Sequence, residues 1–353
     1  YAAATLVPAT ATLANDQVVA VWGPPGSLTT VSADGRTILY GYTIDGSNWW
    51  GPTPDSMQDV QLDTPPEKRI VISGDNVDLQ AGAVIDAGGG GDVLGLEFVQ
   101  GPKGAANILT GDGVFAISPA FGADVSLGQA PSTAPREQLA VGDVIWLPAF
   151  DGHAAGYYTL LPAEYALTPG GYRVTVAQAG AASSTPRQTT DGSFILTGHQ
   201  AGEQGVAFGD QGFTSFQVMS GAGVRERSEF IETSGNSFFS SERFLTGLER
   251  SGAVYNADPR LPVDGGFMTI AARESLQLNG EFRARGATSA DRGGVLDIAG
   301  DLIVVASAGT DVSDLGSGYL RLDPKQLSNV AESLLIGGVR RQGQAGLEIV
   351  TGY

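Results

Sequence analysis

Arg283, Arg285, Asp297 and Asp301 are the residues of this chain whose types and spacing come closest to acid–base chemistry. Cleaving a polysaccharide calls for carboxylates clustered on one face, sometimes with an arginine or lysine as base. Alternation along a strand gives these residues a different reading. It sends Glu281, Arg283 and Arg285 to one face and Phe282 and Ala284 to the other. That pattern describes a solvated ladder of charge above a buried row, and no catalytic residue is expected from it.

The remaining chemical signals are sparse. His153 and His199 each stand alone beside glycine, with no HExxH and no close histidine pair to hold a metal. No GxSxG nucleophile elbow occurs. The run Gly88-Gly89-Gly90-Gly91 lacks the Lys-Ser/Thr of a phosphate cradle. Its continuation Asp92-Val93-Leu94 is the nearest match to a calcium-binding nonapeptide, but it misses the spacing and occurs once. A turn is therefore expected there, with no cofactor; calcium is the one metal left open. Cysteine is absent, which excludes disulfide staples, thiolate metal sites and cysteine nucleophiles together. The net charge of −18 is scattered rather than gathered in a tail, and it would repel a phosphate backbone, so nucleic acid is not an expected partner.

Aromatic side chains offer binding rather than catalysis. Trp49 and Trp50 can stack on sugar rings, although neighbours in a strand point to opposite faces and form no flat platform. Trp146, Tyr157 and Tyr158 belong to a stretch rich in rings and prolines. These five residues are the candidate contact residues.

The elements that must position them are short strands. Between Asp264 and Ser307, apolar runs at 268–270, 276–278, 282–284, 295–298 and 302–305 are each cut off by Gly, Asn or Ala. Gly265-Gly266 returns as Gly293-Gly294, a spacing of 28 residues. Strands this short cannot bury an apolar face alone, so coiling the chain and stacking each turn on the last is the economical solution. The expected fold class is all-β, a parallel β-helix. Glycine at 51 of 353 residues and charged residues at only 16% agree with it.

In chain order, residues 1–69 read as short strands and tight turns leading into the solenoid. Residues 70–106 read as coils with a glycine-rich excursion. Residues 107–192 carry prolines at 119, 131, 135, 148, 162 and 169 and read as an inserted loop domain, ending in a linker over 181–192. Coils resume over 193–353. Leu327, Val330, Leu334 and Leu335 at helical spacing predict a short helix near 325–335. No apolar run approaches the roughly 20 residues needed to span a bilayer. Neither end carries a recognisable cap, so the expectation is a piece of something longer.

Three stretches carry a family resemblance: Val77 to Gly89, Tyr158 to Gly170 (YTLLPAEYALTPG) and Ser333 to Arg340 (SLLIGGVR). The first is generic to β-helices. With the other two, the chain resembles the filamentous-haemagglutinin-like exoproteins that Gram-negative bacteria secrete by the two-partner pathway. The family's amino-terminal secretion domain is missing from it. The resemblance implies a right-handed β-helical shaft, a secreted or cell-surface location, and a role in adhesion or biofilm matrix. It implies no catalytic residues. The partners it implies are an outer-membrane two-partner secretion transporter, engaged through other regions of the parent chain, and a glycan or protein receptor. Two other readings stand beside it: a self-assembling extracellular fibre subunit, stacking end to end with its own copies, and a polysaccharide-degrading β-helix enzyme.

Overall fold

A computed structural model describes residues 4–5, 10–13, 20–53, 56–121, 125–126, 138–177, 186–201, 213–250, 259–300, 302–307, 309–312, 314, 319–327, 331–343 and 346–351. The chain is all-β in character, its helices being few and short.

The largest set of parallel ladders is built from Arg69–Leu79, Phe267–Leu278, Val295–Ala299 and Ser333–Ile336, paired in that order. Thr10–Leu13 and Ala20–Gly23 add to the open side of Arg69–Leu79. Phe267 pairs with Val295 and Ala271 with Ala299, so the ladder steps by 28 residues, the interval that separates the two glycine pairs. A second parallel ladder runs from Leu28–Thr30 through Val84–Asp86 to Glu281–Arg283.

Side-chain alternation explains why these strands stack. Ile70, Met268 and Leu296 form one inward row, and Ile72, Ile270 and Ile298 form the next. Val77 on Leu276, Leu79 on Leu278 and Ile85 on Phe282 continue the pattern beyond the bulge between Ala272 and Ser275. Each such aliphatic side chain contributes about 1.5–3 kcal/mol when fully buried. Gly266 and Gly294 allow the close approach at the start of each rung: a Cβ at Gly294 would lie 2.5 Å from the Gly266 carbonyl oxygen.

The sheets are mixed rather than uniformly coiled. Asp92–Val99 pairs parallel with Thr37–Leu39 on one side and antiparallel with Glu229–Ser234 on the other. Tyr42–Ile44, Asn48–Thr53 and Ser56–Gln61 form an antiparallel meander within the leading segment.

The inserted region is more ordered and extends further than a set of loops. One antiparallel path runs Val114–Ile117, Tyr172–Val176, Thr214–Ser220, Phe194–Ala201, Val144–Leu147, Gly156–Thr159. Its two edges meet at Ala116 and Leu161, whose N–H groups donate to one another's carbonyls at 3.0 and 2.8 Å, curling the sheet toward a barrel. The strands at 194–201 and 214–220 lie past the expected boundary at 192. Period-two alternation identifies a strand but not its partner, so these two read equally well as coils. Phe115, Ile117, Ile145, Leu147, Tyr158, Leu160, Tyr172, Val174, Leu196, Phe216 and Val218 fill the interior. A separate cluster joins this barrel-like sheet to the strand Asp92–Val99: Ala116, Leu161, Ala166, Leu167 and Met219 pack with Leu94 and Leu96.

Among the described residues of the predicted helix near 325–335, Pro324–Leu327 is helical and Ser333–Ile336 is a strand. Leu334 and Leu335 pair with Leu296 and Asp297, so the parallel ladder claims residues whose spacing suits a helix. Residues 328–330 of that predicted helix, 181–185 of the predicted linker, and Asp301 lie outside the described residues.

Candidate functional site

Of the residues considered for acid–base chemistry, Arg283 and Asp297 have separate partners. Arg283 Nε donates to Glu281 at 2.7 Å on an exposed face, with Arg285 exposed nearby and Phe282 turned to the core. The Glu281 carboxyl is held below its ordinary value by this pairing. Asp297 is buried, and its carboxylate accepts from the Arg340 N–H at 2.7 Å and from Arg340 Nη1 at 2.5 Å. Arg340 belongs to the hairpin of Val339–Gly343 and Gly346–Val350; Val339 packs there with Ala271 and Ala299. Asp92, at the glycine run, is likewise committed to the protein: its carboxylate accepts from Ser234 Oγ and from the N–H groups of Val93 and Asn236. Among the described residues, no group of three His, Asp or Glu stands ready to hold a metal.

A polar knot ties the rungs together. Lys68 Nζ donates to the carbonyls of Pro262 at 2.7 Å, Gly88 at 3.4 Å and Asp264. Burial lowers its ammonium to about 8, against the partial compensation of Asp264. Asp264 is itself buried. That burial works to raise its carboxyl, but hydrogen bonds from Arg292 and the Leu261 N–H prevail and hold it below the ordinary range.

His153 joins a second polar set. The Tyr172 hydroxyl donates to Asp151 Oδ2 at 2.8 Å, and His153 Nε2 lies 3.0 Å from the Tyr172 hydroxyl oxygen. With the hydroxyl proton given to Asp151, the imidazole must be the donor. Burial, reinforced by Asp151, pushes the Tyr172 hydroxyl above its ordinary value. This set fastens the turn from Phe150 to His153, where Asp151 adopts φ 45°. It offers no nucleophile.

The aromatic candidates separate cleanly. Trp49 is fully buried: its indole N–H donates to the Tyr40 carbonyl at 2.8 Å, and its ring meets Phe238 and Phe239 at 5.3 and 5.1 Å. Trp50, on the opposite face, is half-buried between Tyr42 and Gln61. Tyr158 is buried in the barrel, its hydroxyl donating to the Ala154 carbonyl at 3.1 Å. Trp49 and Tyr158 are thus core residues, with no ring face for a ligand.

Trp146 and Tyr157 are brought together. They face each other across adjacent strands, and alternation turns them outward because Ile145, Leu147 and Tyr158 point in. Trp146 also stands opposite His199 on the next strand, with ring planes 16° apart and centroids 5.3 Å apart. Beyond it, Phe213 meets His199 edge-on at 6.1 Å and is 73% exposed. Four rings therefore form one row across four neighbouring strand lines: Tyr157, Trp146, His199, Phe213.

Comparison with known proteins finds no matching family model, no matching curated protein and no matching solved structure.

Sequence reasoning missed His199 and Phe213. Alternation alone puts both outward, since Leu196 and Phe216 are inward at even positions. What it cannot supply is the pairing that sets His199 beside a tryptophan 53 residues away and Phe213 beside His199.

Proposed function

We propose that the stacked ladders are coils of a parallel β-helix, and that this chain is a shaft segment of a secreted bacterial surface adhesin which holds out the antiparallel barrel for contact. One observation carries the reading. The rung Arg69–Leu79 is followed in the stack by Phe267–Leu278, 198 residues later, in register at both ends apart from one bulge. The chain leaves the stack, builds a barrel with its own core, and returns to the next rung. A stiff stack interrupted by a separately packed unit suits a scaffold that presents a recognition surface.

In this reading the coils supply length and rigidity, and the barrel supplies recognition of a glycan or protein receptor on a cell or matrix. Export would use an outer-membrane two-partner secretion transporter, engaged through parts of a longer parent chain. The location would be the exterior of a Gram-negative cell. The test is surface shaving of producing cells with intact-mass measurement. A surface polypeptide well above 36.3 kDa that yields peptides of this chain is expected. Confinement of these peptides to the cytosol would overturn the reading.

A fibre subunit is favoured by one specific feature. Trp22 is 65% exposed and Leu28 37% exposed on strands at one side of the stack, and Leu334 is 39% exposed on the strand at the other. Apolar residues on open strand edges template further pairing. This reading predicts concentration-dependent end-to-end oligomers in sedimentation velocity, and a monodisperse monomer at high concentration would contradict it.

A further inference from the structure

We infer that the outward row Tyr157–Trp146–His199–Phe213 is a docking face for a neutral polysaccharide chain. The inference deepens the contact role proposed for the barrel and rests on that reading for its biological setting.

Position is the first ground. In the strand order, Val144–Leu147 lies three places from Tyr172–Val176, halfway around a six-stranded circuit. The side carrying Ala116 and Met219 packs against Leu94 and Leu96 of the strand Asp92–Val99. Trp146 and His199, the middle of the row, therefore sit on strands away from the junction, while Phe213 leads into the strand that carries Met219.

Shape is the second. Three strand spacings make a row about 14 Å long, following the curl of the sheet and one side chain wide. A stable protein partner needs roughly 800 Å² on each side, far more than one row of rings supplies. On the same face, two residues along each strand, Val144, Thr159 and Ala201 are buried, so the row runs along the margin of a covered region. A linear chain matches that strip.

Chemistry is the third. Every member is a ring, and three of the four carry a polar tip: an indole N–H, a phenol and an imidazole. Sugar rings present apolar C–H faces bordered by hydroxyl groups, which such amphipathic rings can cover and hydrogen-bond together. Trp146 gives one face to His199, and no other described ring stacks on it. The row holds no lysine or arginine, and the chain carries a net charge of −18, so polyanionic glycans are repelled and neutral ones are not.

The test is affinity electrophoresis of the whole 353-residue protein through gels containing soluble neutral β-glucan, α-glucan, galactomannan or, separately, heparin. Retardation by at least one neutral polymer is expected, with none by heparin. Trp146→Ala should weaken it about tenfold or more, and Phe213→Ala should weaken it measurably. Phe213 is so exposed that its loss leaves the fold intact, as circular dichroism would verify. Leu302→Ala, 59% exposed and away from the row, should bind as the parent does. Migration unaffected by every neutral polymer, retardation by heparin alone, or undiminished binding by both Trp146→Ala and Phe213→Ala would overturn the inference. Surface location, read by shaving, is unaffected by any of these results, so the two failures can be told apart.

Discussion

Lys68 shows how one side chain's setting decides its chemistry. Its ammonium is folded under three carbonyls, those of Gly88, Pro262 and Asp264. Because burial lowers it from 10.5 to about 8, the unfolded chain binds the proton more tightly than the native one between those values. Stability therefore rises with pH over that window, by up to roughly 3 kcal/mol for a shift of this size. Above about pH 10 the sign reverses, because burial raises the Tyr165 hydroxyl to about 12 and the unfolded chain ionises first. Urea midpoints between pH 7.5 and 10 should climb for the parent and stay flat for Lys68→Met; an equal climb in both would remove Lys68 as the cause. The aromatic candidates make the same point about setting. Trp49 and Trp50 are adjacent in sequence, and the strand sends one into the core and the other outward. Their opposed directions were legible from alternation; which of them meets the Phe238 and Phe239 cluster was not, because that helix lies nearly 190 residues away.

At the scale of elements, spacing carried real information where the pairing was local. The 28-residue interval between glycine pairs is the register step between Phe267–Leu278 and Val295–Ala299. The glycines are required for close approach rather than for turning: Gly266 and Gly294 lie where a Cβ would strike backbone carbonyls at 2.4 and 2.5 Å. Backbone on both sides cannot yield as a flexible side chain would. Gly294→Ala should therefore lower stability by about 1–3 kcal/mol, read as a drop in urea midpoint, while Gly309→Ala, with open space around it but φ 84°, should cost about 1 kcal/mol. Equal, negligible effects would mean that the rungs do not pack so closely. Where pairing is distant, spacing misled. The strand Ser333–Ile336 looked helical because its leucines also fit a 3.6 period, and the barrel strands at 194–201 and 214–220 looked like coils because both architectures alternate in twos.

The molecule as a whole is organised by one long-range event, the return of the chain to its stack after the barrel. Composition and pattern made the all-β character legible, and prolines and rings set the stretch between 107 and 180 apart in composition. That this stretch would join a curled antiparallel sheet, with its own interior and an outward aromatic row, depends on pairings between residues tens of positions apart that no local pattern encodes. The absence of cysteine gives a clean way to test the return directly. Asp78 and Gln277 are register partners on the outward face of adjacent rungs, 199 residues apart in sequence. Neighbouring parallel strands lie about 4.8 Å apart, within the Cα separation that a disulfide accepts. The measurement is oxidative crosslinking of Asp78→Cys/Gln277→Cys, read by gel mobility and peptide mapping, beside Asp78→Cys/Glu274→Cys as the out-of-register control. Rapid, near-complete intramolecular crosslinking of the first pair and little of the second is the predicted result. Equal crosslinking of both pairs, or none in the first, would contradict the stack.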